Sequence, residues 1–356
     1  MNKHSLVKIF KNKKILITGH TGFKGSWLTA LLLELGANII GVSIDLKKNS
    51  HFDLLNIKKK IINIKADIRD YKKLKKIIKK YQPDFVFHLA AQALILESYK
   101  DPINTWNTNV TGTLNLIESL KLITRKCYAV IITSDKCYFN VEKKNGYKET
   151  DTLGGTDPYS ASKASAEHAI KSEVCSYFKY SNKVRIVSAR AGNVIGGGDW
   201  SDNRIIPDYI KSLNKVNKKL KIRNPYATRP WQHILEPLCG YLLLAANLKK
   251  RKNIHGQSFN FGPSKFRNKT VLDVIKELKN NSLKVKFSIN RLKKNNGDKE
   301  SKFLNLNCEK AKKTLKWSSK LNFIETIKLT ADWYREYLEQ KHIITFKQIK
   351  NYLKSI

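Results

Sequence analysis

The first 190 residues alternate short apolar segments with longer segments of helical periodicity, and this alternation limits the possible folds more than any other feature. Helical patterns run over 25–36, 103–124 and 158–180. Between them lie apolar segments rich in β-branched residues, at 14–19, 37–45, 60–68, 84–90, 128–134 and 183–190. Such an alternation predicts a doubly wound α/β fold, in which a parallel sheet is covered by helices on both faces.

The second half of the chain follows a different pattern. After residue 190, Gly, Pro, Trp and Arg concentrate in loops such as GNVIGGGDW (192–200) and RNPYATRPWQH (223–233). Two helical patterns remain, near 271–279 and 325–339. We predict a first domain over 1–190 and a smaller lobe over 191–356 at the C-terminal edge of the sheet, with some segments of the lobe returning to the first domain.

The net charge of +39 would ordinarily suggest binding to nucleic acid or to a membrane surface. However, 11 of the 68 basic residues are Arg, which leaves 57 Lys, and these fall on outer helix faces, as in YKKLKKIIKK (71–80). Proteins that read bases favour Arg and stacking aromatic residues, and neither is clustered here. We therefore expect no specific nucleic acid partner, but a positive surface that attracts anionic substrates.

The cysteines and the hydropathy pattern indicate the compartment. Five cysteines are scattered without a C-x-x-C pair, at Cys127, Cys137, Cys175, Cys239 and Cys308. This arrangement predicts a reduced, cytoplasmic protein with no zinc site. Because the N-terminus has no signal-peptide pattern and no run of about 18 apolar residues occurs, we expect no membrane span.

A glycine-rich segment, ITGHTGFKG (17–25), follows the first apolar segment and opens the first helix. Gly19, Gly22 and Gly25 have GxxGxxG spacing. Glycines at these positions permit a tight turn and allow a pyrophosphate to approach the N-terminus of the helix. The segment therefore predicts a dinucleotide site.

Two acidic residues, Asp45 and Asp67, make the prediction of a dinucleotide site more specific. Asp45 ends the second predicted strand, 20 residues beyond Gly25. A carboxylate there can bind both hydroxyls of the adenosine ribose and would repel a 2′-phosphate, so NAD is favoured over NADP. Asp67 and Ile68 end the third strand and are placed for contact with the adenine.

Two further clusters contain groups that can carry out chemistry. The strand at 128–134 runs into Ser134-Asp135-Lys136, which are either ordinary polar residues after a strand or groups that face one pocket. Tyr159 and Lys163 are four residues apart in a predicted helix and so share one face. A phenol has a pKa of about 10, and a nearby ammonium can lower it, so this pair suits a base that works near neutral pH.

The motifs described above, taken in their order along the chain, resemble those of the extended short-chain dehydrogenase/reductase family, and within it those of the nucleotide-sugar branch. The resemblance runs from about residue 12 to 340. It is most specific for the CDP-glucose 4,6-dehydratases in GHTGFKGSWL, SYKDPINTWNTNVTGT, SDKCY, GGTDPYSASKA, AGNVIGGGDW, RIIPD and RPWQHILEPL. It implies a Rossmann fold, NAD as cofactor, a CDP-hexose as substrate, a role in deoxysugar synthesis for surface polysaccharide, and a homodimer built from helices near 103–124 and 158–180.

The resemblance also implies roles for the catalytic residues Ser134, Asp135, Lys136, Tyr159 and Lys163. Tyr159 would take the proton of the sugar 4-hydroxyl while hydride leaves C4, and Ser134 would share a hydrogen bond to that oxygen. Asp135 would protonate the departing 6-hydroxyl, Lys136 would remove the C5 proton, and hydride would return to C6. The acid then needs a raised pKa and the lysine a lowered one, two demands that partly conflict in adjacent residues.

Two larger sets of residues are implied in the same way. Besides Tyr159 and Lys163, the cofactor would be bound by Gly19, Thr21, Gly22, Phe23, Gly25, Asp45, Asp67, Ile68, Leu89, Ala90 and Ala91. The substrate would be bound by Gln92, Asn193, Arg204, Arg229, Trp231 and His233. Trp231 and His233 could equally well pack in the core, and no metal site is expected.

The chain departs from the family pattern at three positions. Leu96 and Asn295 replace residues that are commonly Arg in relatives, and Phe139 replaces the usual Glu. These departures bear on the identity of the sugar and the nucleotide more than on the class of reaction.

Three alternatives share part of this pattern. A nucleotide-sugar 4-epimerase would keep the glycine loop and the Tyr159–Lys163 pair but would not use Asp135 and Lys136. Inverting UDP-sugar 4,6-dehydratases have an Asp-Lys pair but typically lack the tyrosine. A non-enzymatic Rossmann protein that senses redox state or binds RNA would need neither pair and is suggested only by the charge.

Overall fold

The computed structural model describes residues 2–213, 220–222, 224–263, 269–283, 285, 287–289 and 304–356. Its β-sheets are built from short strands. The strands are β1 Lys14–Thr18, β2 Asn38–Ser43, β3 Ile62–Lys65, β4 Phe85–His88, β5 Cys127–Ile132, β6 Val184–Ala191, β7 Val194–Ile195, β8 Leu220–Ile222, β9 Thr228–Arg229, β10 Gln232–His233, β11 Ser258–Phe261, β12 Lys269–Thr270 and β13 Phe287–Ile289.

Seven of these strands form one parallel sheet in the order β11-β6-β5-β4-β1-β2-β3. The order of the strands reverses between β1 and β4. In open α/β sheets, ligands bind beyond the carboxyl ends of the strands at such a reversal. The remaining strands make three small pairs, β7–β10, β9–β12 and β8–β13.

Helices surround the sheet on both faces. The α-helices are α1 Lys3–Phe10, α2 Phe23–Glu34, α3 His51–Leu54, α4 Tyr71–Tyr81, α5 Ile95–Lys100, α6 Pro102–Trp106, α7 Gly112–Ser119, α8 Pro158–Glu173, α9 Ile205–Leu213, α10 Leu235–Lys250, α11 Val271–Asn280, α12 Glu309–Leu315, α13 Phe323–Gln340 and α14 Thr345–Lys354. Four 3-10 turns (Lys58–Lys60, Leu120–Leu122, Asp135–Cys137 and Lys252–Ile254) and two π-helical segments (Asn107–Thr111 and Val174–Phe178) complete the regular structure of the described residues.

The alternation of side chains along each strand explains the two layers of helices. In β1, Ile15 and Ile17 point into the core shared with α2, α10 and α14, whereas Leu16 points into the core shared with α4, α7 and α8. Successive side chains of a strand face opposite sides of the sheet, so each continuous apolar strand needs both layers. The predicted doubly wound α/β fold is confirmed.

The part of the chain beyond residue 190 contains more helix than the sequence patterns indicated. The sequence analysis found two helical patterns there, whereas the described residues form six helices, α9 to α14. The largest omission is α10, in which 14 residues from Leu235 to Leu248 are buried. A helix that is apolar on all sides has no amphipathic periodicity, and this one packs against β5 and β6.

Strand β11 also lies beyond residue 190, yet it pairs with β6 and forms the edge of the main sheet. Segments of the second half therefore belong to the sheet that carries the first half. The boundary at residue 190 stays a prediction. The described helices include none that combines the length and the apolarity needed to cross a membrane.

Candidate functional site

The glycine loop lies at the reversal of the strand order and packs against the end of β4. Gly19 has a φ of 74°, and a Cβ on it would lie 2.7 Å from the backbone nitrogen of Ala90. A Cβ on Gly25 would lie 2.0 Å from the carbonyl oxygen of Gly19. Gly22 caps α2 without a side chain, and the first turn of α2 has no acidic residue. This helix N-terminus can therefore receive an anion, and it fits the pyrophosphate of a dinucleotide.

The end of β2 is tied to the glycine loop. The Thr21 hydroxyl donates a hydrogen bond of 2.8 Å to the carbonyl oxygen of Asp45. The Asp45 carboxylate is 65% exposed and has only the Lys65 ammonium nearby, 3.9 Å away, as an ion-pair partner among the described residues. Asp45 is thus fixed through its backbone while its carboxylate stays accessible to ribose hydroxyls. Phe23 begins α2 and packs against the core beside this loop.

The predicted adenine contacts lie at the end of β3. The hydrogen bonds from Arg69 to the Asp67 carboxylate, at 2.6 to 3.1 Å, hold the pKa of Asp67 below its usual value. The Ile68 side chain is buried, and Asn115 donates to its carbonyl oxygen at 3.1 Å. The Asp67 carboxylate is therefore already paired with Arg69, and its contact with adenine stays a prediction.

The end of β4 forms the other wall of the loop. Leu89, Ala90 and Ala91 are all half-buried there. The backbone N–H of Ala90 donates to the Thr18 hydroxyl at 3.3 Å, and His88 lies 2.6 Å from the same hydroxyl. Burial lowers the pKa of His88 to about 3, with the Lys163 ammonium acting in the same direction, so this ring is neutral and anchors the end of the strand.

The segment after β5 brings the predicted acid and its neighbours to the same edge of the sheet. Ser134 and Asp135 are buried, and Lys136 is half-buried. The Ser134 hydroxyl donates to Asp135 at 2.9 Å and accepts from the backbone N–H of Lys136 at 3.2 Å. On its other side Asp135 lies against Gly192, where an added Cβ would be 2.9 Å from the carboxylate oxygen.

The electrostatic surroundings of Asp135 suit an acid. Burial raises the pKa of Asp135, as the sequence analysis expected. Four partners oppose this effect, namely Lys136, Ser134, Lys24 and Arg229. Cations from several elements therefore act on the carboxyl group, while burial still favours its protonated form.

The predicted Tyr-Lys pair lies on the first turns of α8, which Asp157 caps by accepting from the backbone N–H of Ser160 at 2.9 Å. Tyr159 and Lys163 are both buried. Burial raises the pKa of Tyr159 to about 12, and a hydrogen bond with Ser134 acts in the opposite direction. The lowering of this pKa that the sequence analysis expected is thus not found in the protein alone, because burial outweighs the effects of Ser134 and Arg204.

Lys163 is perturbed by the same burial. Its pKa is lowered to about 8, whereas Cys137 and Glu167 act to raise it. A lysine of this kind can change its protonation state near neutral pH, which suits a residue that assists proton transfer from a phenol.

A buried charged network behind the site was not found in the sequence. Glu167 accepts hydrogen bonds from Thr133 at 2.5 Å and Ser188 at 2.9 Å, and pairs with Arg190 at 2.7 Å. Arg190 also donates to the Tyr138 hydroxyl at 2.8 Å. The network joins α8 to the ends of β5 and β6, so it fixes the distance between Tyr159 and the segment after β5. The available signal was the position of Glu167, four residues after Lys163 on the same helix face.

Three of the predicted substrate residues lie around this edge. Asn193 is exposed in the loop after β6. Arg204 pairs with Asp199 at 3.1 Å and is close enough to Tyr159 to affect its pKa. Arg229 donates to the Thr228 carbonyl at 2.7 Å and interacts with Asp135.

The other three are placed differently. His233 has no exposed surface and packs edge-on against Trp27, with ring centres 5.8 Å apart, so the prediction that it contacts the substrate is corrected in favour of core packing. Trp231 is nearly buried, and its indole N–H donates to the Lys269 carbonyl at 2.9 Å. The Gln92 amide bonds to the Leu94 backbone and the Thr105 hydroxyl. Substrate contact by Trp231 and Gln92 stays a prediction.

Two of the three departures from the family pattern lie on the surface. Leu96 is 42% exposed on α5, and Phe139 is 49% exposed and packs against Gly154. Asn295 lies outside the described residues. Within the described part of the chain, no three His, Cys, Asp or Glu side chains are grouped so as to hold a metal ion.

A known protein family matches most of the chain. The profile of the family described as GDP-mannose 4,6 dehydratase matches residues 16–330. The chain belongs to this family. The predicted relationship to the nucleotide-sugar enzymes of the extended short-chain dehydrogenase/reductase type is confirmed.

Individual proteins similar to this chain extend the comparison. A CDP-glucose 4,6-dehydratase of Salmonella typhimurium is 39% identical over 351 residues, which cover 97% of each chain. A UDP-glucose 4-epimerase of Mycoplasma genitalium is 28% identical over 281 residues, 74% of this chain and 81% of its own. The solved structure of a dTDP-glucose 4,6-dehydratase of Bacillus anthracis in complex with NAD is 21% identical, with a TM-score of 0.75 over 95% of this chain and 99% of its own, and it supports the fold.

Proposed function

We propose that this protein catalyses the NAD-dependent 4,6-dehydration of CDP-glucose to CDP-4-keto-6-deoxyglucose. The observation that carries the proposal is the burial of Asp135 in a hydrogen bond with Ser134, with the buried phenol of Tyr159 close enough to both residues for them to affect its pKa. The CDP-glucose 4,6-dehydratase of Salmonella typhimurium supports both the reaction and the nucleotide, because its identity of 39% extends over 97% of both chains.

NAD is the cofactor. Its pyrophosphate would be held at the glycine-capped N-terminus of α2, and its adenosine ribose by Asp45. When bound, it accepts hydride from C4 of the sugar and returns it to C6. The accessible Asp45 carboxylate would repel a 2′-phosphate, which explains the preference for NAD.

In the oxidation step Tyr159 takes the proton of the 4-hydroxyl. Ser134 lies close enough to Tyr159 to lower the pKa of the phenol, which supports a shared contact of both hydroxyl groups with one sugar oxygen. Because its pKa is raised, the phenol of Tyr159 favours the neutral form in the protein alone. The positive charge of an oxidised nicotinamide would favour ionisation of the phenol. Lys163, one helical turn away, assists as a nearby cation.

In the elimination step the new 4-ketone makes the C5 proton acidic. Lys136 removes this proton, and Asp135 protonates the 6-oxygen, which leaves as water. The burial of Asp135 keeps its proton available, and Ser134 orients the carboxyl group through the bond of 2.9 Å. The diphosphate of the substrate would be bound by Asn193, Arg204 and Arg229.

An epimerase is the main alternative, since a solved UDP-glucose 4-epimerase shares the fold with a TM-score of 0.76. A 4-epimerase needs the base and the cofactor but neither an acid for the 6-hydroxyl nor a base for C5. The burial of Asp135 between Ser134 and Gly192 therefore favours the dehydratase.

The decisive experiment incubates the purified protein with NAD and, separately, CDP-, dTDP-, UDP- and GDP-glucose. We expect a product from CDP-glucose that has lost one water and has the alkaline absorbance of a 4-keto-6-deoxy sugar. A product of unchanged mass with galactose stereochemistry would instead establish the epimerase, and faster turnover of another nucleotide would correct the substrate.

We further propose that the enzyme is a cytoplasmic homodimer that supplies deoxysugars for surface polysaccharide. Large apolar side chains are exposed along α5, α6 and the π-helical segment that follows α8, namely Tyr99 (62%), Ile103 (74%), Trp106 (39%) and Tyr177 (62%). An exposed apolar patch on adjoining helices is typical of a subunit interface.

Light scattering tests the homodimer. Ile103→Glu should halve the molar mass of the species in solution because it introduces a charge into the patch. Ile324→Glu, at a position of comparable exposure on α13, serves as the matched control. A monomeric wild-type protein would contradict this part of the proposal.

A further inference from the structure

The backbone around Asp199, in the loop after β7, is fixed by buried aromatic residues. Gly197 lies so close to the Trp333 ring that a Cβ on it would collide with the ring. The indole N–H of Trp27 donates to the Gly197 carbonyl oxygen at 2.9 Å, and the Tyr334 hydroxyl donates to the Asp199 carbonyl oxygen at 2.7 Å. The position of Asp199 is therefore determined by the protein itself, before a ligand binds.

The carboxylate of Asp199 is almost closed to solvent, and each of its oxygens has a partner. Oδ1 accepts a hydrogen bond of 3.0 Å from the backbone N–H of Ser201, and Oδ2 pairs with the Arg204 guanidinium at 3.1 Å. The side chain is 6% exposed. Direct contact between Asp199 and a substrate is thus disfavoured, and the carboxylate can influence a ligand through Arg204.

Arg204 is held by its backbone and by one side of its guanidinium. Its carbonyl oxygen accepts from the backbone N–H of Asp208 at 2.9 Å in the first turn of α9, and its Nη1 donates to Asp199. A guanidinium has five N–H donors, and within the described part of the chain no other hydrogen bond or ion pair of this group is found. The side chain is 38% exposed and lies near enough to Tyr159 to lower the pKa of the phenol, so its remaining N–H groups are open to an anion at the reaction edge.

On the basis of the proposed function, in which Arg204 binds the diphosphate of the substrate, we propose that Asp199 is a positioning residue for that contact. The buried carboxylate holds the guanidinium in one orientation before the substrate arrives, so less side-chain freedom is lost on binding. Arginine binds phosphate oxygens through a planar array of N–H groups, and the orientation of this array matters as well as its charge. The aromatic residues fix Asp199, Asp199 orients Arg204, and Arg204 binds the diphosphate.

The sign of the effect on substrate affinity separates positioning from simple electrostatics. A carboxylate near a diphosphate repels it, so removal of the Asp199 charge would strengthen substrate binding if charge alone decided. If Asp199 positions Arg204, removal of the same charge weakens binding instead. Asp202 is a matched control in the same loop, because its carboxylate is 83% exposed and pairs with Lys211 at 2.6 Å rather than with Arg204.

The test compares wild type with Asp199→Asn, Asp202→Asn, Arg204→Met and the double variant Asp199→Asn/Arg204→Met. Steady-state kinetics with CDP-glucose at saturating NAD gives kcat and KM, and calorimetry with CDP gives Kd without turnover. For Asp199→Asn we expect KM and Kd to rise roughly threefold to tenfold with kcat within about twofold of wild type, because the Arg204 side chain must now be ordered on binding. Asp202→Asn should leave KM and Kd unchanged or slightly lower.

The double variant distinguishes positioning of Arg204 from a general effect on the loop. Arg204→Met should raise KM and Kd more than Asp199→Asn does. Addition of Asp199→Asn to Arg204→Met should cause no further rise, because Asp199 then has no guanidinium to orient. Tyr334→Phe is the second variant in case Asp199→Asn does not fold. It removes the hydrogen bond that supports the Asp199 backbone, and it should raise the Kd of CDP by a smaller factor, again only when Arg204 is present.

The outcomes separate this inference from the proposed function. An unchanged or lowered KM in Asp199→Asn, a fall in kcat alone, or a rise in KM that persists in the Arg204→Met background would overturn the inference and leave the dehydration intact. An equal rise in Asp202→Asn, or a wild-type Kd for CDP in Arg204→Met, would overturn it as well. If wild type forms no ketosugar from any of the four nucleotide sugars, the proposed dehydration fails, and the calorimetry with CDP decides the inference by itself.

Discussion

The carboxyl edge of the sheet has two parts that offer a ligand different kinds of groups. At β1 to β3, the groups offered to a ligand are a bare helix N-terminus and the largely exposed carboxylate of Asp45. At β5 and β6, they are the buried side chains of Ser134, Asp135 and Tyr159. The first part has the character of a binding site and the second that of a reaction site.

The difference shows what burial adds to a site. The carboxyl group of Asp135 has a raised pKa because it is buried, and Lys163 has a lowered one for the same reason. Perturbed groups of this kind are matched to proton transfer near neutral pH. Substitutions in the two parts should therefore affect different quantities, turnover in one and cofactor affinity in the other.

The largest effect should follow removal of the phenol. Tyr159→Phe should lower turnover of CDP-glucose roughly a thousandfold or more, because no other described side chain replaces the base at the 4-hydroxyl. Binding of NAD, measured by calorimetry, should change little. Tyr180→Phe on the surface is the control, and a variant Tyr159→Phe with substantial turnover would remove the phenol from the mechanism.

Replacement of the second base should separate the two half-reactions. Lys136→Met should slow ketosugar formation on the order of a hundredfold while NAD remains bound and C4 oxidation continues. Stopped-flow absorbance of the reduced cofactor measures this, with Lys126→Met as the control. Equal losses in both half-reactions would show that Lys136 acts before elimination.

Breaking the buried network should reduce stability as well as activity. Glu167→Gln removes the charge that pairs with Arg190 and should lower the free energy of unfolding by about 3 kcal/mol, measured by urea denaturation. Burial raises the pKa of Glu167, but Arg190 and three hydrogen bonds outweigh it and hold the pKa below the usual value.

The sign of the pH dependence follows from that lowered pKa. The stabilisation by Glu167 is present above the pKa of the unfolded carboxyl group, about 4.3, and is lost as the pH falls through the native value. Acidification should thus narrow the gap between wild type and Glu167→Gln. The exposed Glu339→Gln should show no gap at any pH.

The smallest effect should come from the exposed acid. Asp45→Asn should weaken NAD binding roughly tenfold, because a charged hydrogen-bond acceptor becomes a neutral one. Affinity for NADP should rise relative to NAD, since the repulsion of the 2′-phosphate is gone. A large loss of kcat at saturating NAD would contradict the division of the edge into a binding part and a reaction part.

Local motifs were sufficient for the family, the fold and the cofactor. The spacing of Gly19, Gly22 and Gly25 after a strand, and that of Tyr159 and Lys163 on a helix, each depend on a few neighbouring residues. The alternation of apolar and helical segments determined the doubly wound sheet. These predictions are confirmed by the fold and by the matched family.

Features that depend on distant contacts could not be found in this way. Helix α10 has no polar face, so its sequence has no helical period. Glu167 and Arg190 are 23 residues apart and meet only because α8 packs on the sheet. The burial of His233 depends on Trp27, which is far away in the sequence. The sequence of a loop motif therefore does not determine whether a side chain such as that of His233 faces a ligand or the core.

The close approach of Gly192 to the Asp135 carboxyl group has a practical consequence. Because glycine leaves 2.9 Å between an imagined Cβ and the oxygen of Asp135, one methyl group would push the acid aside without altering any charge. Gly192→Ala therefore tests the proposed role of Asp135 by displacing the side chain rather than by changing a charge, and it would measure how far the proposed proton donor can move before loss of water stops.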